Sequence, residues 1–367
     1  MKKQLFSSIL IALILLSCTP TRFDQPDQAS QQFISFDKNN LSDISEISYL
    51  SGGGDCGEIS SIQVVLEKDL VYGYCSISRE LIIWNISLKI EEERSVLDID
   101  VDLGVSISKD GSSVLGLSQR IINSNSESEE FIYEVLICVQ DDSLKYTSLH
   151  LCELGEDEYF EAIRGIHISP NGKFALVYYP FWYELYDLEN NEDYYVGLSG
   201  DADYYVDIGY MAFHPNSKKL AVSFRDTAIC SYGDVQIFQL HGPSFMLYKG
   251  YKDKSNQMLQ TVKDLEFSPD GKWLANITDD GINVWRINIL KTHRLLDFKS
   301  ANIIAFSSDS ELLFIGTNDE LVVYNLSAKE IIYKIKTPNI ESLSISNGNQ
   351  ILAWGDSSGF IHILGIR

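Results

Sequence analysis

Positive charge is scarce in this chain: 29 lysines and arginines stand against 52 aspartates and glutamates, a formal net charge of −23. A surface of that sign repels nucleic-acid phosphates and anionic lipid head groups, which argues against nucleic-acid binding and against a basic membrane patch. Long apolar runs are equally scarce. Only residues 5–16 form one, and a run of about a dozen residues is too short to stay in a bilayer as a spanning helix. Histidine never gathers: His150, His167, His214, His241, His293 and His362 stand singly, with no His-Glu-x-x-His motif. Gly197-Leu198-Ser199-Gly200 and Gly116-Leu117-Ser118 fall short of the Gly-x-Ser-x-Gly nucleophile elbow. The motifs of a zinc protease or a serine hydrolase are therefore missing, and neither metal nor cofactor is predicted.

What is present begins at the N-terminus. Met1-Lys2-Lys3 precedes the apolar run, which ends in Leu15-Leu16-Ser17-Cys18. A basic start, a short apolar core and a small residue at its end make a secretory signal. The final tetrad resembles the lipobox of bacterial lipoproteins. That resemblance implies removal of residues 1–17, a diacylglycerol on the Cys18 thiol, and a membrane anchor made of lipid alone. Acyl chains contribute about 0.8 kcal/mol per buried CH₂, so two or three of them hold a protein stably. Thr19 differs from the Asp that resembles an inner-membrane retention signal, which favours an outer membrane where the cell has one. Residues 18–30 are polar, contain Pro20 and Pro26, and read as a flexible tether.

The remainder, residues 31–367, repeats itself at spacings of roughly 40 to 60 residues. Ser268-Pro269-Asp270-Gly271 is the clearest turn. Ser169-Pro170-Asn171-Gly172, His214-Pro215-Asn216-Ser217, Ser307-Ser308-Asp309-Ser310 and Ser346-Asn347-Gly348-Asn349 align with it. So do Ser108-Lys109-Asp110-Gly111 and a weaker copy whose turn position falls on Lys68. Each copy reads as strand, tight turn, strand, loop, strand, with the two-residue alternation of Leu265-Glu266-Phe267 as the strand signal. These units resemble the WD40 repeat family over nearly the whole mature chain. The family's Gly-His pair is missing, and its Trp-Asp pair survives only as Trp84-Asn85, Tyr186-Asp187, Trp285-Arg286 and Tyr324-Asn325. The resemblance implies an all-β, seven-bladed β-propeller. The last copy ends near Ile366 without a fourth strand. Residues 31–50, with Phe33-Ile34-Ser35-Phe36, are expected to supply it and close the last blade.

In that topology the longer second-to-third loops and the inter-blade links share one face, where binding tends to reside. Nine of the twenty tyrosines lie between Tyr178 and Tyr210. Packing within strands suits Tyr186, Tyr194 and Tyr210, because tyrosine favours strands. Tyr179, Phe181, Trp182, Asp201, Asp203, Tyr204 and Tyr205 are the candidate partner-binding residues, aromatics beside carboxylates that can stack on sugars or grip a cationic or peptide partner. Asp201, Asp203 and Asp207 lack the glycine and distal glutamate of a calcium loop and read as a solvated acidic segment. His167 and His362 fall on strands and read as structural. Export permits disulfides, and Cys56 with Cys75, on neighbouring loops of the first blade, is the favoured pair among Cys56, Cys75, Cys138, Cys152 and Cys230. The expectation is a non-catalytic envelope binding module for a protein or an envelope polymer. Two alternatives stand beside it: a propeller hydrolase or lyase using carboxylates around the central channel, and a component of an outer-membrane assembly complex.

Overall fold

The computed structural model describes residues 44–96, 105–109, 111, 113–125, 128–139, 149–151, 165–178, 182–188, 190, 192–197, 208–224, 235–241, 244–251, 262–287, 291–295 and 298–366. Among them the regular structure is β, with two single 3₁₀ turns and no α-helix. The strands form seven four-stranded antiparallel sheets. In the first six, four consecutive strands lie side by side in chain order. The first sheet, for example, runs through Ile59–Val65, Leu70–Cys75, Glu80–Asn85 and Ile90–Val96.

The seventh sheet is assembled from both ends of the chain. Ile340–Ile345, Ile351–Asp356 and Phe360–Ile366 are joined by Ile44–Ser51, which pairs antiparallel with Phe360–Ile366 and sets Ile44 opposite Ile366. The joining strand overlaps the expected region, running from Ile44 to Ser51; Phe33, Ile34, Ser35 and Phe36 lie outside the described residues.

The turn between first and second strands explains why the repeat is visible. In five copies a serine, at Ser108, Ser169, Ser268, Ser307 and Ser346, accepts on its Oγ the backbone N–H five residues ahead at 2.9–3.0 Å. All five serines are buried, or nearly so, because the hydroxyl replaces the water that the turn's N–H would otherwise need. The residue three beyond turns the chain back with a left-handed backbone: φ is +64° at Gly111, +68° at Gly172 and +67° at Gly271. Ser310 (+62°), Asn349 (+56°) and, in the His214 copy, Ser217 (+54°) hold the same conformation without glycine. In the first copy that role falls to Asp69 (φ +57°) rather than Lys68, because a 3₁₀ turn over Leu66–Lys68 lengthens the connection.

Packing runs from sheet to sheet. One buried cluster joins the first sheet to the second, through Tyr72, Tyr74, Val105 and Val114. Others join the third to the fourth, the fourth to the fifth, the fifth to the sixth and the sixth to the seventh. A further cluster joins the seventh back to the first, with Ala353, Ile361 and Ile363 against Val64, Ile82 and Trp84. Each fully buried Leu or Ile here contributes roughly 1.5–3 kcal/mol. The first strands of successive sheets also touch one another, and Ile340–Ile345 of the last touches Ile59–Val65 of the first.

Side chains stitch these first strands together. Ser61 Oγ donates to Val105 O at 2.6 Å, and Ser106 Oγ accepts Ile168 N–H at 3.0 Å. Ser342 Oγ donates to Ile59 O at 2.6 Å, while Ser344 Oγ accepts Val64 N–H at 3.0 Å. Each bond pairs a backbone group that faces another strand rather than water, and contributes about 1 kcal/mol.

Candidate functional site

Between the fifth and sixth sheets the stitching is done by carboxylates. Asp264 and Glu266 lie two residues apart on Val262–Phe267, so both side chains leave the same face of the strand. Asp264 accepts Leu265 N–H at 2.8 Å through one oxygen and Ile304 N–H of the sixth sheet at 2.9 Å through the other. Glu266 accepts the next available donor along, Phe306 N–H. Burial pushes the Asp264 pKa up to about 6, against the pull of those two N–H groups. It pushes Glu266 further, to about 8; the neighbouring Asp264 charge adds to the rise, and Lys109 and the Phe306 N–H oppose it. At neutral pH Glu266 is therefore largely a neutral acid.

Glu266 also lines a cavity of about 150 Å³ at the end of the sheets that carries the first-to-second turns. Gln63, Glu67 and Lys109 contribute polar walls, while Pro269, Phe306 and Leu343 contribute apolar ones. At one edge Asn347 Nδ2 of the seventh sheet donates to Glu67 Oε1 of the first at 3.2 Å. As a residue Glu266 is half-buried, yet its Oε2 is closed off from solvent and has no hydrogen-bond partner among the described residues. Unpartnered buried carboxylate oxygens are uncommon in stable folds, which makes Glu266 a candidate site residue.

The structure distributes the sequence-predicted residues differently. Tyr179, Phe181, Asp201, Asp203, Tyr204 and Tyr205, with Asp207, lie outside the described residues. Trp182 opens the strand Trp182–Asp187, opposite Gly197. In the same aromatic window Tyr178, Tyr183 and Tyr186 are buried; Tyr178 and Tyr183 pack with Met211 and Phe213 of the fourth sheet. That part of the tyrosine cluster is core. Cys18 lies outside the described residues, as do Cys152 and Cys230. Cys56 and Cys75 form a disulfide, with Cα atoms 4.7 Å apart. It ties the segment entering the first sheet to the end of that sheet's second strand, beside Gly52, whose N–H donates to Gly359 O of the seventh sheet at 2.9 Å.

His167 and His362, expected to be structural, occupy packed positions. His362 bonds Asp356 Oδ2 at 2.8 Å and stacks on Trp354 with ring centroids 4.9 Å apart. Asp356 also accepts Ser358 N–H and Phe360 N–H, so this pair closes a turn. His167 stacks on Tyr178 at 5.7 Å, and burial lowers its pKa to about 4. Among the described residues no group of three or more His, Cys, Asp or Glu side chains is arranged to hold a metal.

Asp264 and Glu266 went unnoticed in the sequence. In an alternating strand their positions read as the solvent face, and nothing local distinguishes them from any other strand carboxylates. What the fold and this site define is an all-β protein of repeated four-stranded antiparallel sheets with a carboxylate-lined cavity at the ends of its first strands. No protein-family model matches the chain, and no curated protein matches it.

Proposed function

We propose that this chain is a bacterial envelope lipoprotein whose folded part is a seven-bladed, WD40-like β-propeller acting as a non-catalytic binding module. The observation that carries the propeller reading is the succession of sheet contacts, in which the seventh sheet packs on the first and takes its outer strand from the chain's beginning. The Leu15-Leu16-Ser17-Cys18 tetrad supports the lipid anchor, and the acidic composition supports anchoring without a basic patch. A scaffold stitched strand to strand by buried side chains suits a rigid platform that presents loops to a partner.

Chain direction orients the platform. Ile44 lies opposite Ile366, at the end of the seventh sheet that carries the Ser346–Asn349 turn. Tyr178 and Gly197 end their strands at the opposite end of the third sheet from its Ser169–Gly172 turn, which supports a loop site on the side away from the cavity. Crosslinking and pull-down from intact envelopes test this reading, with Trp182→Ala and Asp203→Ala expected to lose the partner and undiminished recovery in both counting against the loop site. Cys18→Ala is expected to leave the precursor uncleaved or free of the membrane.

The catalytic alternative draws on one specific observation, the neutral acid Glu266 at a cavity wall. A carboxyl group poised near pH 8 has the proton a general acid needs. Asp264, with both oxygens engaged by backbone N–H groups, is held as a structural partner rather than a second acid or base. Hydrolysis of ester, glycoside or peptide substrates that disappears in Glu266→Gln would favour this alternative over the binding module.

A further inference from the structure

We propose that the cavity beside Glu266 binds a small ligand bearing a primary ammonium group, with the Glu266 carboxylate as its counter-charge. This goes beyond the envelope-binding reading, concerns the opposite end of the sheets, and holds whether or not the loop end has a partner. The first argument is economy of side chains. Three other seams between first strands are joined by serine hydroxyls, which satisfy a backbone group without bringing a charge. At the fifth-to-sixth seam Asp264 and Glu266 take the sixth sheet's backbone N–H groups, so stitching calls for an acceptor at position 266 but not for a group that can carry a charge. Yet Glu266 is there, desolvated, with one oxygen lacking a partner, at the wall of a cavity.

The second argument is chemical fit. Among the described residues two carboxyl groups, Glu266 and Glu67, line the cavity against one cation, Lys109, which is exposed. The whole chain's negative charge raises the local concentration of cations over anions. An ammonium group brings three donors and a positive charge; a desolvated carboxyl group that gains both is driven to ionise. Pro269, Phe306 and Leu343 supply an apolar wall for a short carbon chain. A cavity of about 150 Å³ is of a size that admits a small organic molecule.

Binding would then be linked to protons. Groups bearing on Glu266 are Asp264 on its own strand, Lys109 on the second sheet's turn and the Phe306 N–H of the sixth sheet; Glu67 faces the same cavity, and Tyr210 of the fourth sheet senses Asp264. Because Glu266 is mostly protonated at neutral pH, the ammonium ligand displaces a proton from its carboxyl group to the buffer.

Calorimetric titration of the full chain with 1,4-diaminobutane tests the site, alongside its neutral counterpart 1,4-butanediol. The diamine is expected to bind and to release close to one proton at pH 7, read from two buffers of different ionisation heat. Its affinity should rise about tenfold per pH unit up to about pH 8. Glu266→Gln, which keeps the side chain's shape, should weaken binding at least tenfold and abolish the proton release. Nα-acetyl-lysine amide serves as a second arm: binding by it alone assigns the ammonium to a protein's lysine, and binding by the diamine to a free amine. Failure of both amines to bind at millimolar concentration, equal binding of butanediol, or an unchanged affinity in Glu266→Gln would each overturn the proposal. None of these outcomes alters partner recovery from envelopes, which reports separately on the loop end.

Discussion

Two seams in this molecule perform the same structural task with different chemistry. Where the seventh sheet meets the first, Ser342 and Ser344 bridge to Ile59 O and Val64 N–H. Where the fifth meets the sixth, Asp264 and Glu266 take the backbone N–H groups of Ile304 and Phe306. A hydroxyl loses little on burial once it is bonded, whereas a carboxylate must be desolvated and responds by holding its proton. The serine seam is thus stable at any pH in the ordinary range, and the carboxylate seam is stable only while it is protonated or compensated. At three other seams serine meets the same need without a charge.

The largest effect that would sharpen this contrast is on the pH dependence of stability. Folding raises Glu266 from 4.5 to about 8, so across that window the folded state keeps a proton that the unfolded state has lost. Its contribution is fully present below about pH 4.5 and is lost as pH climbs to about 8, a change on the order of a few kcal/mol. In Glu266→Gln the decline should shrink to the Asp264 window, from 3.8 to about 6. Urea midpoints at pH 5 and pH 8.5 read this directly. Equal slopes with pH in both proteins would erase the distinction between the seams.

How visible this was in the sequence depends on how local the signal is. Gly111, Gly172 and Gly271 announce their turns because left-handed backbone favours glycine, and alignment carried the same geometry to Ser217, Ser310 and Asn349. The first copy slipped by one residue, to Asp69, because a 3₁₀ turn adds length that no glycine marks. The Cys56 and Cys75 pair could be read because strand order alone puts their two loops at one end of one sheet. Glu266 could not be read. Its place in Leu265-Glu266-Phe267 looks solvent-facing, and only the neighbouring first strand, supplied by residues some forty positions later, turns that face into a seam. The aromatic window was half legible for the opposite reason: Tyr178, Tyr183 and Tyr186 satisfy both a binding reading and a packing one, and the third and fourth sheets bury them.

The serine seam has covalent help nearby, which gives the second effect. Cys56 and Cys75 are separated by 19 residues, and closing such a loop removes about 3 kcal/mol of unfolded-state entropy. Cys56→Ser with Cys75→Ser should lower stability by about that amount, equally at pH 5 and pH 8.5. A loss confined to high pH would place the disulfide in the same electrostatic network as Glu266. Next in size is Asp264→Ala, which strands the N–H groups of Leu265 and Ile304 and should cost about 2 kcal/mol at pH 5. That cost should fall as pH rises from 3.8 to about 6, because the wild-type carboxyl group gives up its proton over that window and is then charged and poorly solvated.

Ser344→Ala is the smallest change and the control for all the others. It removes the acceptor for Val64 N–H at a buried position, so the expected loss is about 1 kcal/mol. No charge is involved, so urea midpoints should drop by the same increment at pH 5 and pH 8.5. If Ser344→Ala proved as costly as Asp264→Ala, stitching would be demanding at every seam, and the carboxylates would be one more way of meeting that demand. If it stays small and flat with pH while Glu266→Gln gains stability at pH 8.5, then the seam between the fifth and sixth sheets carries a charge that packing does not require. The cavity beside it is what gives that charge something to hold.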